Sequence, residues 1–98
     1  MKFHFKFTNT DTGKVTEVDG GRTAIWDALD QEATWPERGS NEQRSDFAWG
    51  YHAARRAGVL KELGIEGMAD DDAVDYIADN FDLHISDNPV PLPDAPRG

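Results

Sequence analysis

Residues 3–20, FHFKFTNTDTGKVTEVDG, decide the fold. Phenylalanine occupies every second position from Phe3 to Phe7, with polar residues between. This period of two is the pattern of a strand with one buried face. The run Thr10–Gly13 is rich in turn-forming residues, and a second short strand, Lys14–Asp19, follows it. We therefore expect a β-hairpin.

The register of this hairpin follows from the length of its loop. A loop of residues 10–13, closed by Asn9 and Lys14, satisfies both faces of the hairpin at once. It places an apolar pair on the face that is to be buried and residues of opposite charge on the polar face. A loop shorter by one residue would instead place Lys6 opposite Val18. The expected pairs are Phe5 with Val18, Phe7 with Thr16, Lys6 with Glu17, and His4 with Asp19.

Two helices are expected after Gly20-Gly21. Thr23 is a suitable N-cap for a first helix that runs to about Thr34, with Ile25 and Leu29 facing inward. Ser40 and Gln43 have the spacing of a capping box, which predicts a second helix from about Asn41 to Ala57. Gly58 either ends this helix or kinks it before Val59–Leu63.

A third helix and a third strand complete the predicted fold. Asp70 is expected to cap the helix, with Asp71 and Asp72 in its first turn, where the helix dipole favours anions. The pattern predicts a short strand over residues 81–85. The sum is an α+β domain of order ββαααβ over residues 1–85, with three helices packed on one face of a small sheet. The core stripe expected on the third helix is Val74, Ile77, Ala78 and Phe81.

Composition limits the functional classes. The 98 residues include no cysteine, which excludes disulfides, thiolate metal sites and a cysteine nucleophile. We expect no signal peptide and no membrane-spanning segment, and we expect a soluble protein of the bacterial cytoplasm. No nucleophile elbow, phosphate loop or zinc spacing occurs. We predict no catalytic residues, no cofactor and no metal site, and therefore no enzyme. The tail, residues 86–98, is rich in proline and expected to be extended or disordered.

The net charge is confined to one part of the chain. Residues 1–61 carry as many acids as bases, whereas residues 62–98 hold ten acids and one base, Arg97, and so the whole net charge of −9. Such a surface favours a basic protein partner and disfavours nucleic acids and anionic membranes. Capping explains part of the acidic run, but Asp71, Asp75 and Asp79 share one helical face and Asp82 extends it. This row is either a solvated face or a site for a basic partner.

The second helix is apolar on two sides. One side carries Phe47, Tyr51 and small residues, and the other carries a stripe that we regard as a candidate partner surface. A helix of this kind is either sandwiched inside the fold or presents one side to a partner. Tryptophan and arginine are enriched at binding hot spots. The stripe consists of Trp49, His52, Arg56 and Leu60.

Residues 44–63, RSDFAWGYHAARRAGVLKEL, form an aromatic-rich helix that ends in RRAG. With the acidic helix, the DLHI strand and the NPVPLP tail that follow, this segment resembles the small tail assembly chaperones of siphophages. The resemblance extends over residues 44–93 and implies a protein that binds a helical client, the tape-measure protein, while tail-tube subunits assemble around it.

Two alternatives remain beside this reading. An acidic decoy could mimic DNA and occupy a basic groove, as anti-restriction and anti-CRISPR proteins do. Helical acids spaced i, i+4 lie about 6 Å apart, close to the phosphate spacing along one strand. An accessory domain with a structural role only is the third possibility. In the first two cases the partner is a protein that is basic, or an amphipathic helix.

Overall fold

A computed structural model describes residues 2–35 and 42–87. Its elements are β1 (Phe3–Asn9), β2 (Val15–Gly20), α1 (Arg22–Glu32), α2 (Glu42–Ala57), α3 (Leu60–Leu63), α4 (Asp70–Asn80) and β3 (Phe81–Asp87). The strands form one antiparallel sheet in the order β2-β1-β3. The α+β class and the order of elements are as predicted, with one short extra helix, α3.

The hairpin has the predicted register. Phe5 lies opposite Val18, and His4 lies opposite Asp19. On its other side β1 pairs with β3, where Phe5 meets Ile85. The alternation of apolar and polar residues therefore matches across all three strands. The odd-numbered residues of β1 face the helices, and Phe5 and Phe7 are completely buried. Strand β3 extends to Asp87, two residues beyond its predicted end, and the remaining tail lies outside the described residues.

Helix α2 lies against the sheet at very short range. A Cβ added at Gly20 of β2 would lie 2.8 Å from the Cβ of Ala53, and one added at Gly50 would lie 2.8 Å from Cδ2 of Leu83. Both distances are below normal carbon contacts. Glycines at these two positions thus allow α2 to sit directly on the strands. Helix α2 ends at Ala57, and the φ of 77° at Gly58 is the left-handed conformation expected after a helix.

Helix α1 buries a different face from the one predicted. Ala24, Ala28 and Gln31 are buried, whereas Leu29 is 55% exposed and Ile25 only half-buried. The prediction that Ile25 and Leu29 face inward was wrong, because α1 packs against α2 through small residues.

The predicted helix caps also need correction. Gly21, not Thr23, is at the N-cap of α1, and Ala69, not Asp70, is at the N-cap of α4; neither has a side-chain cap hydrogen bond. Asp70 instead joins Asp71 and Asp72 in the first turn. The capping box that begins at Ser40 falls outside the described residues.

The interior face of α4 is close to the expected stripe. Val74, Ile77 and Phe81 are buried, but Ala78 is exposed and Ala73 takes its place in the core. No helix in the described ranges is long and apolar enough to cross a membrane.

Candidate functional site

The stripe predicted on α2 is not one exposed surface. Trp49 is half-buried against β1, with its ring in edge-to-face contact with Phe3 at 4.7 Å and Phe5 at 5.3 Å between centroids. His52 is buried on the side that faces α1. Only Arg56 is exposed, and Leu60 is a half-buried residue of α3 that packs on the core. Helix α2 is therefore sandwiched, which is the first of the two interpretations of its sequence.

The acidic row is also divided. Oδ1 of Asp71 accepts hydrogen bonds from within the fold, and Asp75 forms an ion pair with Arg44 at 3.3 Å. Asp79 on α4 and Asp82 on β3 are exposed and have no polar partner among residues 2–35 and 42–87. Two of the four acids, Asp71 and Asp75, thus hold α4 to its neighbours.

The two most exposed large apolar side chains of the described residues lie on α1. Trp26 is 59% exposed and Leu29 is 55% exposed, one turn apart on the same side of the helix. Half-buried Ile25 lies beside them. Side chains at i and i+3 are neighbours on a helix surface, so these residues form one contiguous patch. We call Ile25, Trp26 and Leu29 the α1 patch. Sequence reasoning missed it because it assigned Ile25 and Leu29 to the core and made no prediction for Trp26.

A polar cleft of about 780 Å³ opens where α1, α2 and the start of α4 meet. Arg56 binds Asp27 across it through two hydrogen bonds, from Nε at 2.5 Å and Nη2 at 3.2 Å. On the opposite side, the hydroxyl of Tyr51 donates to Asp70 at 2.6 Å. We call this the His52 cleft; its lining residues are Asp27, Asp30, Gln31, Thr34, His52, Arg55, Arg56, Ala69, Asp70 and Asp71.

A chain of hydrogen bonds orders the cleft. Oδ1 of Asp71 accepts from Nε2 of Gln31 and from Nε1 of Trp35, both at 2.8 Å. Oε1 of Gln31 lies 2.8 Å from Nε2 of His52. These neutral donors stabilise the ionised form of Asp71 and lower its pKa. Such a depressed pKa contributes stability above the ordinary carboxyl pKa, and that stability is lost as the pH falls through the lowered value.

Two buried ring nitrogens have no partner among the described residues, Nδ1 of His52 and Nε1 of Trp49. A buried polar atom left without a hydrogen bond costs about 1–3 kcal/mol. Of these two residues, His52 lines the cleft and Trp49 does not. Burial of His52 lowers its pKa and keeps the ring neutral. This polar site combines residues from three helices, and no sequence motif indicates it.

His4 on the other face of the sheet has the opposite electrostatics. Its Nδ1 lies 2.8 Å from Asp19 and its Nε2 lies 2.6 Å from Glu17. Two carboxylate acceptors require both ring nitrogens to donate, so the charged imidazolium is the matching form. Both hydrogen bonds raise the pKa of His4, and the one to Asp19 has the larger effect.

The two histidines should therefore titrate on opposite sides of the ordinary value of 6.5. In an NMR pH titration we expect the midpoint of His4 above this value and that of His52 below it. The stabilising contribution of His4 is present below the unfolded pKa and is lost as the pH rises through the folded pKa. As a control, Asp19→Asn should lower the His4 midpoint and leave that of His52 unchanged. Coincident midpoints for both rings would contradict these environments.

No site for a metal ion is found within residues 2–35 and 42–87, where no group of three or more His, Cys, Asp or Glu residues is suitably placed. Comparisons of the chain with models of protein families, with curated protein sequences and with solved structures all find no match. The functional argument therefore rests on the residues of this chain alone.

Proposed function

We propose that this protein is a non-enzymatic binding module for a basic amphipathic helix, which docks on the α1 patch. The observation that carries the proposal is the exposure of Trp26 and Leu29 side by side on α1. Exposed large apolar residues are ordinary when scattered, but an adjacent pair that includes tryptophan is typical of a binding hot spot.

Charge around the patch supports a basic occupant. Asp30 adjoins Leu29, is exposed, and has no polar partner in the part of the chain that the structure describes. Across the His52 cleft lie Asp70 and Asp71 of the first turn of α4. The net charge of the whole chain is −9. An amphipathic helix could place leucines on Trp26 while its lysines meet these carboxylates, which is the usual helix-recognition arrangement.

Within this class we propose a long helical client of the tape-measure kind. The support is the resemblance of residues 44–93 to tail assembly chaperones, together with an apolar patch that a helical client could cover. The surface differs from the one expected from sequence, since Trp26 replaces Trp49 as the exposed aromatic residue. The proposed activity requires no catalytic group, cofactor or metal.

The test uses a synthetic helical peptide with leucine at the a and d positions and lysine elsewhere. We expect Trp26→Ala to weaken its binding by about thirtyfold or more, the effect of losing a hot-spot residue of at least about 2 kcal/mol. Because Trp26 is exposed, the substitution should change the free energy of unfolding by no more than about 0.5 kcal/mol. Fluorescence anisotropy of the labelled peptide measures the first quantity and urea denaturation the second.

Tyr76→Ala is the matched control, because Tyr76 is an aromatic residue of α4 that is 36% exposed and lies outside the patch. It should leave peptide binding unchanged. Equal binding by the Trp26→Ala and wild-type proteins would overturn the proposed surface. A peptide with serine in place of leucine is the second control. If it binds as tightly as the leucine peptide, charge alone is recognised and the acidic decoy replaces our proposal.

A further inference from the structure

We infer that the His52 cleft is a binding site for a primary alkylammonium group, separate from the α1 patch. The inference begins with the orientation of one amide. Because the carboxylate of Asp71 only accepts hydrogen bonds, the atom of Gln31 that faces it must be the donor Nε2. The carbonyl Oε1 of Gln31 is thereby turned toward His52.

The amide orientation decides the tautomer of His52. Its Nε2 lies 2.8 Å from Oε1 of Gln31, an acceptor, and so must carry the proton. In the neutral ring Nδ1 then has a lone pair and is an acceptor. The residue is only 2% exposed, and Nδ1 has no partner in the described ranges. Nδ1 is therefore a buried acceptor without a hydrogen-bond donor.

The charges around the cleft specify what kind of donor fits. Four carboxylates (Asp27, Asp30, Asp70 and Asp71) line it against two guanidinium groups. One of these, Arg56, is already bound to Asp27. The other, Arg55, is 3.9 Å from Asp70 and largely exposed. The negative surplus excludes phosphate and other anions, and it favours a cation that carries N–H groups.

The free carboxylate positions suit an ammonium group. Asp30 has no polar partner among the described residues, and in Asp71 the two hydrogen bonds both fall on Oδ1, leaving Oδ2 open. One N–H of the ligand would donate to Nδ1 of His52 and the others to these oxygens. Nδ1 is covered in this structure, so binding of the ligand requires a local movement of the side chains that line the cleft. The volume of about 780 Å³ lies within the range of about 300–1,000 Å³ typical of small-molecule sites.

The ligand can be tested without knowing its natural source. We would titrate the folded protein with 1,5-diaminopentane and record the imidazole nitrogens by long-range ¹H–¹⁵N NMR. The expected result is an Nε2–H tautomer in the free protein and a shift of Nδ1 on addition of the amine. Tetramethylammonium has the charge but no N–H and should leave Nδ1 unshifted, as should inorganic phosphate. An Nδ1–H tautomer, or an equal response to tetramethylammonium, would overturn the inference.

Variants of the lining residues test this site, and one of these residues, Asp30, also adjoins the α1 patch. Asp30→Asn should weaken amine binding about two- to fivefold, the effect of one exposed charge. His52→Phe should weaken it about three- to tenfold through the lost hydrogen bond. The matched control is Asp72→Asn, an exposed acid of α4 outside the cleft, which should have no effect.

Because His52→Phe could disturb the fold, Asp30→Asn and the tautomer decide the matter. If Asp30→Asn binds the amine as tightly as the wild type, the inference fails. Trp26→Ala should leave amine binding intact, so the failure of either proposal is visible separately. A lysine-containing peptide that shifts Nδ1 when the free amine does not would identify a partner's lysine as the source of the ammonium group.

Discussion

Phe5→Ala is expected to lower the free energy of unfolding by about 3–5 kcal/mol, the usual cost of removing a buried phenylalanine. Phe5 is completely buried in the central strand, opposite Val18 on one side and Ile85 on the other. Its ring also meets Trp49 edge to face at 5.3 Å. Loss of the ring would leave a cavity at the point where both neighbouring strands and α2 converge.

Urea denaturation followed by circular dichroism measures this loss. Small domains are stable by only about 5–15 kcal/mol, so the variant should be markedly destabilised at 25 °C. Lys6→Ala is the control, since it changes the next residue of the same strand on the exposed face and should cost no more than about 0.5 kcal/mol. A loss below about 1 kcal/mol in Phe5→Ala would show that the core is not centred on β1.

Gly20→Ala is expected to cost about 1–3 kcal/mol, although it adds a single methyl group. That methyl would lie 2.8 Å from the Cβ of Ala53 and 3.1 Å from the ring of Phe5. The Cβ of Ala53 is fixed to the backbone of α2 and has no rotamer to change. Relief therefore requires that the helix move away from the strand.

A double-mutant cycle distinguishes this clash from a general effect of losing glycine. Ala53→Gly alone should destabilise by about 1 kcal/mol through helix propensity. Combined with Gly20→Ala it should restore part of the loss, giving a coupling energy of about 0.5–3 kcal/mol between the two positions. Additive losses would mean that α2 does not touch β2 at this point. The cycle is measured by the same denaturation experiment.

The sheet was predictable to a degree that α1 was not. In the hairpin the two faces carry independent information, and only one register satisfies Phe5 with Val18 and His4 with Asp19 together. In α1 the apolar residues are split between two faces. Hydrophobicity favours Ile25 and Leu29, but close approach to α2 selects the alanines.

The candidate sites could not be predicted from the sequence, for a related reason. The cleft depends on the meeting of Gln31, His52 and Asp71, which belong to three different helices. Nothing in their spacing along the chain indicates contact. Asp71 was attributed to the helix dipole and to the acidic row, yet it is also a hydrogen-bond acceptor for two side chains across the helix interface. The exposure of Trp26 was likewise not predicted, since it depends on which side of α1 is buried.

The central position of β1 has a consequence for the order of events during synthesis. Strand β2 follows β1 after a short loop, but Asn9 pairs with Phe81, which is made much later. A hairpin forms in about 1–10 μs, whereas ribosomes add about 5–20 residues per second. The nascent chain therefore spends several seconds with one edge of β1 open and its phenylalanine row incompletely covered. Over that interval the chain itself is a potential client for chaperones, until β3 emerges and closes the sheet.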